Sequence, residues 1–199
     1  MKDNMKVLIA SHNSHKLREM QRILSPMGYD VVTDMDIGLE LEDVEETGKS
    51  FAENAEFKAK AGCIQSGYPC IADDSGLCVD ALGGEPGVYS ARYSGKGDDG
   101  SNDLLLFKLK DVPFKDRTAR FVSSICLVFP DGEEITAEGK CEGIIGFEKR
   151  GKGGFGYDPL FMVGDKSFAE MSAEEKDAVS HRGNALKSFS EKFNRIKGV

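Results

Sequence analysis

Residues 71–76 read Ile-Ala-Asp-Asp-Ser-Gly, an apolar run that predicts a strand ending at two adjacent carboxylates. Two like charges side by side are unfavourable unless a cation joins them, and a divalent metal ion is the hard partner that carboxylates prefer. Asp73 and Asp74 therefore point to a metal-dependent site. More acid lies upstream, with Glu40, Glu42, Asp43, Glu45 and Glu46 between positions 34 and 48. Magnesium typically takes one or two carboxylates plus waters and substrate phosphates, so few of these acids are needed as ligands. Any one of them also reads as part of a solvated charge run.

Three other constellations could act with them. Ser11-His12-Asn13-Ser14-His15-Lys16 follows the first apolar run and opens a helical pattern. A loop beyond the carboxyl end of a strand, at a helix N-terminus, attracts phosphate. Ser11 and Asn13 offer hydrogen bonds there and Lys16 a positive charge, although the same residues also make an ordinary helix cap and a lysine in water. In Gly153-Gly154-Phe155-Gly156-Tyr157-Asp158, glycines let the backbone approach a ligand closely, and an aromatic between them either stacks on a base or fills a core. Ser180-His181-Arg182-Gly183 supplies fixed donors for a carbonyl or phosphate oxygen, and Lys176 lies a short way upstream. Nucleophilic hydrolase motifs are absent: there is no G-x-S-x-G and no cysteine with a recognisable nearby histidine partner. Asp73-Asp74-Ser75 is not a D-x-D, which weakens an aspartyl-phosphate mechanism.

The elements that must carry these residues follow from periodicity. Residues 6–10 predict a buried strand, and Leu17, Met20, Ile23 and Leu24 recur at helical spacing until Pro26-Met27-Gly28 stops them. Residues 29–33 predict a second strand, so the chain opens β-loop-α-β, which favours an α/β fold. Ser50-Phe-Ala-Glu53 is a capping-box pattern starting a helix to about residue 65. Residues 70–73 predict a strand ending at the acids, with 77–82 extended beyond it. Gly83-Gly-Glu-Pro-Gly87 is a turn-rich loop. A short helix is expected at 102–109, a strand at 118–129, a hairpin through Asp131-Gly132 into 134–139, and a separate strand at 142–147. Ser172-Ala-Glu-Glu175 is a second capping box, opening helical sequence with a break near Gly183. No repeat or low-complexity linker divides the chain, so any two lobes are interleaved.

Bulk properties set limits. A length of 199 residues suffices for one domain with a sizeable core, and 40% hydrophobic with 30% charged residues is ordinary for a soluble globular protein. Acids outnumber basic residues 34 to 26, which argues against a general nucleic-acid binder because that needs a basic face. No apolar run approaches the roughly 20 residues that span a bilayer. The opening Met1-Lys-Asp-Asn-Met-Lys6 lacks a signal-peptide core. Cys63, Cys70, Cys78, Cys126 and Cys141 form no C-x-x-C, and their odd number predicts reduced thiols in a cytoplasmic protein.

Ser11-x-Asn13-x-x-Lys16, Phe51-Ala-Glu-Asn-Ala55, Ala72-Asp-Asp-Ser-Gly76, Gly83-Gly-x-Pro-Gly87 with Ser90-Ala-Arg92, Gly153-Gly-Phe-Gly-Tyr-Asp-Pro159 and Ser180-His-Arg-Gly183 occur in one order. This set resembles the inosine triphosphate pyrophosphatase family over nearly the whole chain. The resemblance implies an α/β fold with an elongated mixed β-sheet flanked by helices. It implies one two-lobed domain over residues 1–199 with the active site in a cleft between the lobes, and a homodimer. It further implies Mg2+-dependent hydrolysis of ITP, dITP and XTP to the monophosphate and pyrophosphate. Asp74 would be the catalytic acid, as general base or metal-linked group, with Glu46 its companion metal ligand and Glu45 one position away. The loop Ser11, His12, Asn13, Ser14, His15 and Lys16 would bind substrate, with Ser11, Asn13 and Lys16 on the triphosphate. His12 and His15 stand where the family often has glycine and receive no separate role. Ser75, Phe155, Gly156, Tyr157, Asp158, Lys176, His181 and Arg182 would contact the nucleotide and its base. Alternation along a strand sends neighbours to opposite faces, so Asp73 and Asp74 need not reach one ion; the resemblance selects Asp74 and leaves Asp73 as a supporting or structural acid. Two alternatives stand beside this: a pyrophosphatase for other modified nucleotides, and a module that binds nucleotide without cleaving it.

Overall fold

The structure, a computed structural model, describes residues 5–42 and 44–197. Residues 1–4, Asp43 of the acidic run and residues 198–199 lie outside the described residues. The first strand, β1 (Met5–Ile9), lies parallel to β2 (Tyr29–Val32), with Val7 opposite Val31. Between them runs α1 (Ser14–Leu24), closed by a 3₁₀ turn at Ser25–Met27. Next, α2 (Phe51–Ser66) starts at Ser50, whose hydroxyl accepts the Glu53 N–H. Only half of the expected capping box forms, because the Glu53 carboxylate accepts instead from the Lys49 N–H at 2.6 Å.

The chain continues through β3 (Cys70–Val79), α3 (Gly97–Lys108), β4 (Thr118–Val128) and β5 (Glu134–Ile145). It closes with β6 (Phe161–Val163), β7 (Lys166–Ser167), α4 (Ala173–Val179) and α5 (His181–Lys197). The strands form one sheet in the order β2-β1-β3-β4-β5-β6-β7, parallel at β1 with β2 and β3, antiparallel at β5-β6-β7. This is the mixed sheet flanked by helices that the resemblance implied. No helix among the described residues is long and apolar enough to cross a membrane.

Four sequence expectations need correction. The paired acids do not end a strand: β3 runs on through them, because Leu77 and Val79 resume the alternation and bury in a core of their own. The separate strands at 134–139 and 142–147 are one strand, since inward positions recur without a gap at Ile135, Ala137, Gly139 and Cys141. Helix α3 begins at Gly97, with Asp98 and Asp99 favoured by the dipole of its first turn. The last helical stretch breaks at extended Ser180 rather than at Gly183, and α4 carries the complete Ser172–Glu175 capping box.

The chain divides into two compact units. One comprises Met1–Asp74, Ser123–Gly139 and Arg182–Val199; the other comprises Ser75–Val122 and Lys140–His181. The first unit has two apolar clusters, one on each face of its strands. Met20 and Leu24 of α1 and Ala185, Leu186 and Phe189 of α5 cover Val7, Ile9, Ile71, Ile125 and Leu127. Ala55, Ala59 and Cys63 of α2 cover Leu8, Ala10, Cys70, Ala72 and Cys126. Strand β3 thus gives Ile71 to the α1/α5 face and Cys70 and Ala72 to the α2 face, and this alternation fixes where the next two residues point. The second unit packs Leu77, Val79, Leu105, Phe121, Ile145, Tyr157, Phe161 and Phe168 together.

Candidate active site

Asp74 points to the α2 face. Its Oδ1 receives the Lys58 ammonium at 2.9 Å and its Oδ2 the Asn54 amide at 3.2 Å. Asn54 and Lys58 are four residues apart on α2, so they share one helix face. The other end of the Asn54 amide accepts the Gly48 N–H at 2.8 Å, tying down the segment that carries Glu46. The Lys58 ammonium also reaches Glu46 Oε1 at 2.8 Å and the carbonyl of Asp73 at 3.0 Å. Burial opposes the Lys58 charge, but Asp74 and Glu46 outweigh it and hold that lysine above its usual range. Burial pushes the Asp74 carboxyl up, against the pull of Lys58 and Lys16. Glu45 is exposed, and it is Glu46 that joins this group.

Asp73 points to the opposite face and is sealed there. Its Oδ2 takes Lys16 at 2.9 Å and Arg182 at 3.0 Å, and its Oδ1 takes the Ser123 hydroxyl. Arg182 also bonds Glu19 of α1. Burial alone would raise the Asp73 carboxyl, but the cations of Arg182 and Lys16 hold it well below the usual range. Burial draws the Lys16 ammonium down, with Asp73 opposing. A buried ion costs several kcal/mol without partners, so these groups must be assembled together.

The loop before α1 caps its helix. Asn13 Oδ1 accepts the N–H groups of His15 at 3.0 Å and Lys16 at 3.2 Å, and Ser11 Oγ accepts the Asn13 N–H. Ser14 begins α1 and is exposed. His12 lies 3.6 Å from Asp34, and His15 Nδ1 lies 3.1 Å from Arg18. Lys16 is not a solvated lysine, since it turns inward onto Asp73.

The remaining candidate residues belong to the second unit. Lys176 is buried with its ammonium 2.7 Å from Asp158 Oδ2, 4.9 Å from the Phe155 ring centroid and 5.6 Å from that of Phe168. Asp158 Oδ2 accepts the Phe155 N–H at 2.9 Å, which folds residues 155–158 into a turn. Tyr157 is buried and donates its hydroxyl to the Ser90 carbonyl, so it belongs to the core, while Phe155 is half-buried beside Lys176. His181 stacks on Phe121 at 4.7 Å between centroids, and Ser75 sits half-buried on β3. His181 and Arg182, adjacent in sequence, go to different partners: an aromatic stack and the Asp73 carboxylate.

The first-unit residues fit a divalent cation. Oxygens of Asp74 and Glu46 converge on one cationic atom, the Lys58 ammonium, which is where hard oxygen donors for a metal are wanted. The Asp73 carboxylate does not share that place, although its carbonyl oxygen lies 3.0 Å from the same ammonium. Among the described residues no group of three or more His, Cys, Asp or Glu side chains could hold a metal, and an ion using two carboxylates does not need one.

Sequence reasoning assigned no role to Lys58, Asn54, Glu19 or Ser123. An Asn and a Lys at helical i,i+4 spacing just after an acidic run was a usable signal for the first two. Glu19 and Ser123 gave none, being a charge on an apolar helix face and a small residue in a β run.

An α/β sheet carrying two carboxylates around one ammonium, with a second buried set of cations behind it, defines a protein equipped for anionic substrates and cations. Comparison with known proteins makes this specific. The profile of the Ham1 family matches residues 7–192, and the chain belongs to that family. A dITP/XTP pyrophosphatase of Exiguobacterium sibiricum is 48% identical over 198 residues, covering 98% of this chain and 100% of the relative. That of Bacillus subtilis is 48% identical over 187 residues, covering 92% and 94%. A HAM1 protein structure from Coxiella burnetii superposes with a TM-score of 0.85 at 39% identity, covering 96% of this chain and 99% of that one. The Ham1 protein of Staphylococcus aureus gives 0.83 at 40% identity, covering 95% and 98%. The resemblance carried by the six motifs is borne out.

Proposed function

We propose that this protein hydrolyses non-standard purine nucleoside triphosphates, ITP, dITP and XTP, to the monophosphate and pyrophosphate with Mg2+. The observation that carries the reading is the convergence of Asp74 and Glu46 on one cation; relatives matching nearly end to end and named dITP/XTP pyrophosphatase support it. Asp74 takes the proton of a water whose oxygen bonds to the α-phosphorus, while the bond from that phosphorus to the bridging oxygen breaks and pyrophosphate leaves. Asn54 and Lys58 each hold one Asp74 oxygen, and burial of the carboxyl makes it a stronger base than a solvated one. Mg2+ held by Glu46 and Asp74 would supply charge neutralisation for the phosphates. Ser11, Asn13 and Lys16 serve the triphosphate, with His12, Ser14 and His15 along the same loop. Asp73 and Glu19 fix Lys16 and Arg182 in place.

Ser75, Phe155, Gly156, Asp158, Lys176, His181 and Arg182 serve the nucleoside, with Tyr157 anchoring their turn from the core. Donors facing a 6-oxo group reject adenine, whose amino group would leave a buried donor unpaired, and such mismatches discriminate strongly. The whole chain acts as one catalytic domain, as a cytoplasmic homodimer on free nucleotides rather than on a nucleic-acid polymer or a membrane. Steady-state assays with ITP, dITP, XTP, dGTP and dATP, measuring pyrophosphate against orthophosphate, test the reading. Pyrophosphate from the first three is expected. Orthophosphate alone would reject it, and intact ITP after prolonged incubation with Mg2+ would leave a binding module.

A further inference from the structure

The turn at residues 155–158 is gripped from α3 at a single residue. Asn102, fully buried, donates from Nδ2 to the Gly156 carbonyl at 2.9 Å and to the Asp98 carbonyl at 3.0 Å. The Asp98 carboxylate, one helical turn earlier, accepts the Gly156 N–H at 2.7 Å. Both backbone polar groups of Gly156 are therefore taken by two side chains of one helix. Gly156 has φ +59°, which favours glycine, and a Cβ added there would meet nothing within 4 Å, so its other side is open.

The Asn102 side chain bears a cost in this position. Its Oδ1 is buried with no hydrogen-bond partner among the described residues. An unpaired buried acceptor costs about 1–3 kcal/mol. Turning the amide over would set that oxygen against two carbonyl oxygens, so the donor end must face Gly156. A leucine of similar size would remove the unpaired acceptor and lose the hold on Gly156. A side chain kept at a local cost in stability points to a demand other than stability.

We propose that Asn102, assisted by Asp98, is a positioning residue for base selection: from α3 it fixes the Gly156 peptide so that residues 155–158 keep one base-recognising shape. This rests on the reading that those residues contact the base. The test is steady-state kinetics with ITP and ATP on Asn102→Leu, Asp98→Ala and Asp98→Asn, with thermal unfolding of each. For Asn102→Leu, KM for ITP is expected to rise about tenfold with kcat within about twofold, and the ITP-over-ATP ratio of kcat/KM to fall about tenfold, the size of one lost hydrogen bond. The thermal midpoint stays close to wild type. Asp98→Ala, at an exposed position where folding is safe, is expected to raise KM about threefold, while Asp98→Asn, which keeps an acceptor for the Gly156 N–H, restores it. Wild-type KM and selectivity in both Asn102→Leu and Asp98→Ala would overturn the proposal, as would losses for ITP and ATP in equal proportion that track unfolding. Phe155→Ala separates the two levels. Unchanged selectivity in Phe155→Ala defeats the base-contact reading itself, whereas impaired Phe155→Ala beside wild-type α3 variants defeats the α3 grip alone.

Discussion

On one face of β3, Asp73 is enclosed by Lys16, Arg182 and Ser123, with the Asp73 and Arg182 side chains only 0% and 1% exposed. On the other face, one residue on, Asp74 meets Asn54 and Lys58, and Lys58 is shared with a Glu46 side chain that is 27% exposed. The first arrangement has its charges paired inside the protein, and the Lys16 side chain, 14% exposed, is where it meets the surface. The second keeps one carboxylate, that of Glu46, at a water-accessible edge. Two identical side chains thus acquire different surroundings, because a strand turns consecutive residues to opposite faces and different helices cover those faces.

The sharpest way to break this comparison is to neutralise each acid in turn. Asp74→Asn keeps an oxygen for Lys58 and is expected to fold with a thermal midpoint near wild type while kcat falls roughly 10²–10⁴-fold, the usual worth of a positioned general base. Near-normal turnover would remove Asp74 from that role. Asp73→Asn leaves Arg182 and Lys16 short of a buried counter-charge, and urea unfolding is expected to show a loss of about 3–5 kcal/mol. An unfolding midpoint equal to wild type would show that Asp73 is not the structural member.

Lys58→Met tests the shared cation. With the ammonium gone, Asp74 and Glu46 lose the cation they share, and a divalent ion can take its place. Millimolar Mg2+ is expected to raise the thermal midpoint of Lys58→Met more than that of wild type, with a gain of up to about 2.7 kcal/mol at a hundredfold excess over Kd. An equal response in both proteins would place the metal elsewhere. The smallest effect concerns thiols. Cys70 and Cys126 lie in the cluster on the Asp74 face; burial raises both, Cys126 to about 12, so reactive thiolate is scarce near neutral pH. Labelling by a disulfide reagent at pH 8 is expected to be slow in wild type and in Asp74→Asn and faster in the destabilised Asp73→Asn. Equal rates in the two variants would mean that the Asp73 ion cluster does not support that core.

Much of this was legible beforehand, and the limits have physical causes. The β-loop-α-β opening, the helix capped at Ser50 and the Ser172–Glu175 box were readable because they depend on residues within a few positions of each other. The continuation of β3 through its acids was not, because Asp73 and Asp74 are tolerated in mid-strand only by partners from α1, α2, β4 and α5. β6 and β7 are too short to show a period. His181 and Arg182 read as one pair of donors, yet their partners come from different parts of the chain.

The sequence by itself determined the class of fold, the order of the motifs and that Asp73 and Asp74 face opposite ways, since strand alternation is a local rule. Only the tertiary structure decided what each face holds: that Lys58 is the cation between Asp74 and Glu46, that Lys16 turns inward, and that α3 grips Gly156. These are contacts between residues distant in sequence, made only once the sheet and its helices are packed, and no local preference of the chain encodes them.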